Sequence, residues 1–584
     1  VSGEVKNNDA DIAQLLSGLY SHQHLALRTV NREISYLELI SQVESVRKQL
    51  AAITGGDSQG YRIAILASDP LVIIGAIIAS LFERVSFLVV DVKLPDARKQ
   101  FMLNHSDANL LVEADALVTV MTGNPKQFNP DAAYIVYTSG TTGNPKAIEV
   151  NRANIAAKIA TSKNFYNLNK NDHTLCMLSA ATDTYLQQVF ISLISGATIY
   201  FADDAIFDPE HFLTFCQDNS ITFTDLPPSF CLTLLEIDKA RARWHKTSLR
   251  YLVLGGEELN KNILLKWAEF DLFKKCQLIN EYGPSEVTIT SLVHILSERD
   301  LGKPRVPIGK PTKDTRAVIL NEHYELVGAG LSGELWLCGN GVSNGYYNDV
   351  EKTNDKFKKL VIDNKELIYY RTGDICNVNE WGEYTFLGRS DNQIQIYGKR
   401  IELEEIEANL LAIDHISDAA VVVVGQTIHA FVVSCTDQFS VEAIKFSLKE
   451  RLPHFCIPHF IKKLDVLPKT PIGKIDRNSL KIQIKNKVIA VDENATPKSL
   501  LTSVLQQVIG VDTLDSQLSF TQSGGDSILA IAVVLQLKAH QLFLDVAELL
   551  GPTKIENLSI RSGQKARIKI TNEAINTLMP NKRG

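Results

Sequence analysis

None of the eight cysteines, Cys176, Cys216, Cys231, Cys276, Cys338, Cys376, Cys435 and Cys456, stands in a Cys-x-x-Cys pair. That scatter matches no zinc spacing and gives no disulfide framework, and it reads as buried thiols in a reducing compartment. A basic excess is lacking as well: 60 Lys and Arg against 67 Asp and Glu leave a formal net charge of −7. Duplex-binding surfaces ordinarily carry the opposite sign, so nucleic acid is not an expected partner. Long apolar runs are also missing. Leu71 to Phe82 is broken by Glu83 and Arg84 before it could span a bilayer, and the N-terminus has no basic segment followed by an apolar one. No membrane partner is expected, and a cytoplasmic location is. Internal repeats are absent too.

What is present is the composition of a globular protein, 45% hydrophobic and 22% charged over 584 residues, too long for one core. Short apolar runs such as Arg62 to Leu66, Ala133 to Tyr137 and Tyr251 to Leu254 alternate with longer segments of helical period such as Leu71 to Phe82. The alternation predicts an α/β fold with mostly parallel sheets, whose ligands sit at the carboxyl ends of strands. Near Gly388-Arg389-Ser390-Asp391 the character changes, and a smaller α+β unit runs to about residue 485, with strands expected at Ala419 to Val424 and Ala430 to Ser434. A polar stretch from Ile482 to Lys498 reads as a linker. Helical periods over Ser499 to Ile509, Ser527 to His540 and Leu542 to Leu550 predict a small all-α bundle. The Lys- and Arg-bearing tail reads as a solvated, disordered end.

Directly after the strand ending at Tyr137 comes Thr138-Ser139-Gly140-Thr141-Thr142-Gly143-Asn144-Pro145-Lys146. Hydroxyls, flexible glycines and an ammonium in that order suit a polyphosphate, although the spacing is not that of a Walker loop and a Gly/Thr-rich turn is equally open to being only a turn. Four further runs follow in order: Tyr282-Gly283-Pro284-Ser285-Glu286, Tyr370-Arg371-Thr372-Gly373-Asp374, Gly388-Arg389-Ser390-Asp391 and Pro471-Ile472-Gly473-Lys474-Ile475-Asp476-Arg477.

With these five motifs, residues 10 to 480 resemble the adenylation domains of non-ribosomal peptide synthetases, within the adenylate-forming superfamily that also holds acyl-CoA ligases and luciferase. The resemblance implies ATP and Mg²⁺ as cofactors. It implies that Ser139, Gly140, Thr141, Thr142, Gly143, Lys146, Gly256, Tyr282, Gly283 and Ser285 surround the nucleotide, with Tyr282 against the adenine. Asp374 would accept from the ribose hydroxyls with Arg389 assisting, Glu286 and Thr138 would hold the metal, and Lys474 would bridge substrate carboxylate and phosphate. Asp391 would be the hinge about which the small domain turns between two half-reactions. Without that context, Asp374 and Glu286 would read as solvated loop carboxylates and Lys474 as a surface lysine. Two places depart from the family pattern: Gln395 and Tyr397 stand where a Lys and an Arg are common, and Arg84-Val85-Ser86 replaces a run of small residues.

The resemblance further implies an adenylation core over 1–390, a C-terminal subdomain over 391–485, a linker over 486–498, a peptidyl carrier domain that is an all-α four-helix bundle over 499–565, and a disordered tail over 566–584. In Gly524-Gly525-Asp526-Ser527, Ser527 opens a predicted helix and would carry 4′-phosphopantetheine, added by a phosphopantetheinyl transferase; its other reading is a helix cap. Asp183 falls where amino-acid-activating members hold the substrate α-ammonium, and it too could be only a cap. The implied side-chain pocket is Thr184, Gln187, Asp225, Val253, Gly255, Glu281, Ile289 and Thr290. Two carboxylates there, Asp225 and Glu281, are costly without a cation, so a basic amino acid such as lysine, β-lysine, ornithine or arginine is the expected small-molecule partner, with glutamine or glutamate as the alternative. The expected enzyme is an ATP-dependent amino-acid ligase of non-ribosomal peptide biosynthesis. An acyl-CoA-ligase-type enzyme and a scaffold with a dead site are the other classes. The whole length is accounted for by adenylation and carrier segments, so downstream synthetase or tailoring partners would act in trans, or the chain is a piece of a larger synthetase.

Overall fold

Arg62–Ile65 and Ser86–Val89 are buried along their whole length, as strands covered on both faces must be. In the computed structural model they form the centre of a six-stranded sheet in the order 118–120, 110–112, 62–65, 86–89, 132–138 and 146–151, parallel within and antiparallel at both edges. The structure describes residues 11–121, 128–140, 143–469 and 475–485, apart from positions 238, 392, 397, 426, 437 and 438. It also describes 496–562, apart from 510–513, 524, 526–529, 531, 532, 535, 538, 539 and 541. Two compact units result, Val1–Ile484 and Lys485–Gly584.

A nine-stranded sheet forms the second layer of the first unit. Leu25–Arg28, Thr198–Tyr200, His173–Leu175, Phe223–Leu226, Tyr251–Gly255 and Gln277–Tyr282 run parallel, and Glu33–Ser35, Leu292–Ile295 and Lys310–Pro311 are antiparallel at its ends. Helices Tyr36–Thr54, Pro70–Phe82, Arg152–Tyr166 and Asp183–Ile194 contribute to one continuous core with residues of both sheets. Pro70–Phe82 starts where Asp69 accepts from the Leu71 N–H and Pro70 takes the first turn. Every residue from Leu71 to Leu81 is buried, which suits a helix whose sequence offers no polar face.

The expectation of mostly parallel sheets holds for the middles of these two layers only. A third sheet, Thr315–Leu320, Ser332–Gly339, Lys365–Val378, Phe357–Ile362 and Tyr384–Arg389, is wholly antiparallel. Its strands follow one another without intervening crossover helices of βαβ length, which is why an alternation-based reading passes over it. The smaller α+β part begins with a hairpin, Gln393–Ile396 and Lys399–Glu402. It continues through the helix Leu403–Leu411, the sheet Ile416–Val424, Thr427–Ser434 and Phe460–Lys463, and the helices Val441–Lys449 and Arg477–Lys485.

In the second unit the described elements are the helix Pro497–Ile509, the short helix Val546–Leu550, and the strand pair Leu542–Phe543 and Arg561–Ser562. Leu501, Val504, Leu505, Phe520, Val533 and Leu549 share its core. The helix read over Leu542 to Leu550 is thus a short strand followed by a helix. Among the described residues no helix is long and apolar enough to cross a membrane, and the cysteines are buried except Cys435.

Candidate active site

The carboxyl ends of the parallel strands gather the motif residues. Thr138 ends Ala132–Thr138, Asp225 lies near the end of Phe223–Leu226, Gly255 closes Tyr251–Gly255, and Glu281 with Tyr282 closes Gln277–Tyr282. Tyr282 donates its hydroxyl to Asp374, which faces Arg389 across antiparallel strands and is ion-paired with it. Arg389 also reaches Asp391, with Nε 2.6 Å from Oδ1. Burial pushes the Asp374 carboxyl up, against the pull of Arg389 and the Tyr282 hydroxyl. Tyr282, Asp374, Arg389 and Asp391, read from three separate motifs, therefore form one connected group.

Around the phosphate-loop motif the small subdomain supplies the partners. Ser139 donates to the Arg400 carbonyl at 2.9 Å, and Lys146 Nζ lies 2.6 Å from Glu402 Oε1. Arg400 Nη1 contacts both oxygens of Glu286, at 3.0 and 2.9 Å, while the Tyr346 hydroxyl donates to Oε1 at 2.8 Å. Glu286 is fully buried. Burial alone would raise its carboxyl, but Arg400, Lys146 and the Tyr346 hydroxyl hold it down at about 2. Lys146 moves the other way: burial and the Arg400 charge lower its ammonium to about 8. Arg98 and Glu405 form a further buried pair at 2.6 Å. Gly140 and Gly256 are required where they stand. A Cβ at Gly140 would meet the Asn144 carbonyl at 2.0 Å, and Gly256, at φ +78°, has Gly398 of the hairpin tip 3.2 Å from where a Cβ would be. Gly398 in turn donates its N–H to Glu257 at 2.8 Å.

Thr138 and Glu286 offer oxygen donors of the kind a hard divalent cation takes, and the Thr138 hydroxyl is buried with no hydrogen-bond partner among the described residues. The donor set fits Mg²⁺. Among the described residues no cluster of three His, Cys, Asp or Glu suits a metal. With the hairpin docked, Arg400 takes the place at Glu286 that a cation would need.

The implied substrate pocket holds three carboxylates in unequal surroundings. Asp183 is the first residue of the helix Asp183–Ile194, whose N-cap is Thr182, and it accepts from the Thr184 N–H at 3.0 Å and from the Ile289 N–H at 3.3 Å. Burial raises it, against hydrogen bonds from Ser285 and those backbone groups. Thr288 and Ile289 both have positive φ, +56° and +63°, unusual for β-branched residues. The turn is held by Gly283, where a Cβ would collide with the Ile289 carbonyl at 1.7 Å. Glu281 accepts from the Tyr166 hydroxyl, from Thr290 Oγ1 at 2.7 Å, and from Gln187 Nε2 at 3.2 and 3.1 Å. Asp225 keeps part of its surface accessible and has no hydrogen bond or ion pair among the described residues; burial and the nearby Glu281 charge raise its carboxyl strongly. Val253 is buried beneath them, and Thr184 is half-buried.

Thr141, Thr142, Tyr397, Lys474 and Ser527 lie outside the described residues. The sequence reading passed over Arg400, Glu402 and Glu405, which follow closely on Gln395 and Tyr397, and Tyr166 and Lys158, which carry no motif. In Lys399-Arg400-Ile401-Glu402 the charges flank an apolar residue, a pattern that a solvated strand edge carries as well, so no local signal marked the first group.

A two-sheet core with polar groups at its strand ends, closed over by a smaller α+β part, is the architecture of an adenylate-forming enzyme. Residues 20–347 match the AMP-binding enzyme family and residues 405–474 its C-terminal domain. The chain belongs to the AMP-binding enzyme family, a family of ATP-dependent ligases. It is 30% identical to tyrocidine synthase 1 of Brevibacillus parabrevis over 91% of this chain and 50% of that protein. It is 28% identical to delta-poly-L-ornithine synthetase of Acinetobacter baumannii over 90% of this chain and 41% of that protein. The chain thus spans about half the length or less of these curated relatives. The fold is also that of holo-PA1221, a non-ribosomal peptide synthetase protein containing adenylation and carrier domains. There the TM-score is 0.75 and identity 24%, covering 90% of this chain and 91% of that one. The adenylation domain AlmE of Vibrio cholerae gives a TM-score of 0.70 at 22% identity, covering 83% of this chain and 99% of that one.

Arg400→Ala leaves Glu286 buried without its cation and is expected to cost about 3–5 kcal/mol, read from urea denaturation of the whole chain. A loss under about 0.5 kcal/mol would mean the pair is not buried as described. Because Glu286 is held below its ordinary 4.5, its contribution is complete above that pH and disappears as pH falls toward 2.

Proposed function

We infer that the chain joins an amino acid to AMP at the expense of ATP and passes the aminoacyl group to a phosphopantetheine thiol on its own Ser527. In the first half-reaction a substrate carboxylate oxygen bonds to the α-phosphorus while the bond to the pyrophosphate oxygen breaks. In the second, the thiol sulfur bonds to the carbonyl carbon, AMP leaves, and the thiol proton passes to solvent or a basic group. The reaction needs charge neutralisation on phosphate and a fixed in-line geometry. Mg²⁺ bound at Thr138 and Glu286 would supply part of that charge. Asp374 with Arg389 and Tyr282 would orient the ribose, and Lys474 would meet the attacking carboxylate and the phosphate.

Asp183 carries the amino-acid reading. It is a buried carboxylate bonded through Ile289 to the pocket loop, and it suits an α-ammonium in a way a simple cap does not. Asp225 supports a basic side chain: a carboxylate without a hydrogen-bond or ion-pair partner among the described residues, in a place where charge is costly, is relieved by a cationic guest. The name of the Acinetobacter baumannii relative, delta-poly-L-ornithine synthetase, points the same way. The glutamine alternative loses ground, since the Gln187 amide already contacts Glu281 and Thr290. The domain plan of core, small subdomain, linker and carrier belongs to the same proposal, as do a phosphopantetheinyl transferase and downstream synthetase or tailoring enzymes as partners.

Amino-acid-dependent exchange of labelled pyrophosphate into ATP, run over all amino acids, is expected to respond to a basic one; exchange with none would overturn the reading. Asp225→Asn should cut kcat/KM for that amino acid about 30-fold or more, as loss of one member of a buried charge pair does. An unaltered preference over its neutral isostere would exclude Asp225 as the selecting group. Lys474→Ala should slow exchange about 10²- to 10³-fold, and unchanged rates would remove the residue from the first half-reaction. Ser527→Ala should keep exchange while losing the phosphopantetheine mass gain after treatment with a transferase and coenzyme A. A gain that persists would place the arm elsewhere.

A further inference from the structure

Two carboxylates of the implied side-chain pocket, Asp225 and Glu281, are both partly exposed yet differ in their partners, and the reason lies on a helix that contributes nothing to the cavity-lining set. Tyr166 ends the helix Arg152–Tyr166, is fully buried, and is wedged edge-on against Phe223 and Tyr251 with ring centroids 5.0 and 5.8 Å away. Held in that position, its hydroxyl donates to Glu281 Oε1. Two turns earlier on the same helix, Lys158 is 2% exposed, paired with Asp314 at 3.0 Å, and donates to the Thr290 carbonyl at 2.8 Å. Lys158 therefore sets positive charge behind the residue that bonds Glu281 from the other side. Between Tyr166, Thr290 and Gln187, both Glu281 oxygens are engaged by the wall, whereas Asp225 has none of these partners.

We propose that Tyr166 is a specificity-determining residue: by engaging Glu281 from behind, it withdraws that carboxylate from the guest and leaves Asp225 as the one acidic group that meets the substrate's side-chain end. The inference rests on the basic-amino-acid reading above. Tyr166 acts through Glu281 and does not itself touch the substrate. A single exposed carboxylate selects a compact ammonium at one point, while two would favour a broad, forked cation that bonds to both.

The test is Tyr166→Phe, which removes one oxygen and keeps the ring packing. Pyrophosphate exchange is measured with ornithine, lysine and arginine for the wild type, Tyr166→Phe, Glu281→Gln and the double variant. In Tyr166→Phe the ratio of kcat/KM for arginine over that for ornithine is expected to rise about tenfold, through KM, because a freed charged acceptor is worth about that factor. In the Glu281→Gln background the same substitution should leave the ratio unchanged, which a merely structural role for Tyr166 would not produce. An unchanged ratio in Tyr166→Phe, or an equal shift in both backgrounds, overturns the inference while leaving the substrate class standing. Should Tyr166→Phe unfold, Tyr166→Met repeats the cycle with the ring replaced and the hydroxyl gone. Absence of exchange with any basic amino acid in the wild type overturns the reading beneath it and the inference together.

Discussion

A guanidinium lodged against a carboxylate, both out of water, joins the two parts of the first unit. Arg400 comes from the small subdomain and Glu286 from the short turn after the strand Gln277–Tyr282. In that environment each charge is costly alone and tolerable only with the other, so the pair acts as a condition on the arrangement more than as a source of stability. Lys146 with Glu402 and Arg98 with Glu405 repeat the arrangement along the same face. Glu286 and Lys146 stand beside strand ends and Arg98 within the helix Asp96–His105, and each is tied to the hairpin or to the helix behind it. Whatever releases Arg400 must offer Glu286 another positive charge, and a divalent cation at Thr138 and Glu286 would be one.

The same rule, that a charge in a dry place needs a counter-charge, differentiates the acids of the pocket. Asp183 is met by backbone N–H groups and Glu281 by side-chain hydroxyls and an amide, whereas Asp225 is met by nothing among the described residues. Three chemically similar side chains are thereby given three environments without any difference in residue type between Asp183 and Asp225. Residue type alone does not separate Asp183 from Asp225; the partners around them do.

Much of this was legible in the sequence. The helix from Leu71 to Phe82 and the strands near 63, 134 and 253 follow from apolar period, and Tyr282, Asp374 and Arg389 follow from motif order, because each depends on local sequence. The antiparallel third sheet was not legible, since its strands lack the helical spacers that mark crossovers. Nor were the docking contacts: Arg400 with Glu286, Lys146 with Glu402 and Arg98 with Glu405 join residues 114, 256 and 307 positions apart. Nothing local distinguishes such charges from a solvated face. Tyr166 was hidden for a different reason, because an aromatic on the inner side of a helix reads as core, and its hydroxyl's destination depends on a strand more than a hundred residues away.

The left-handed backbone at Thr288 and Ile289 has an evolutionary side. Position 289 cannot be freely exchanged for whatever side chain a new substrate would prefer, because bulky β-branched residues occupy that conformation at a cost of about 1–3 kcal/mol, and glycine or asparagine relieve it. Relaxing the turn would loosen the Ile289 N–H that holds Asp183, the group proposed above for the α-ammonium. On the proposed pocket, drift in substrate choice would therefore be channelled toward the strand-borne positions 225, 253 and 281 and the helix-borne 184 and 187, where side chains can change without moving that turn.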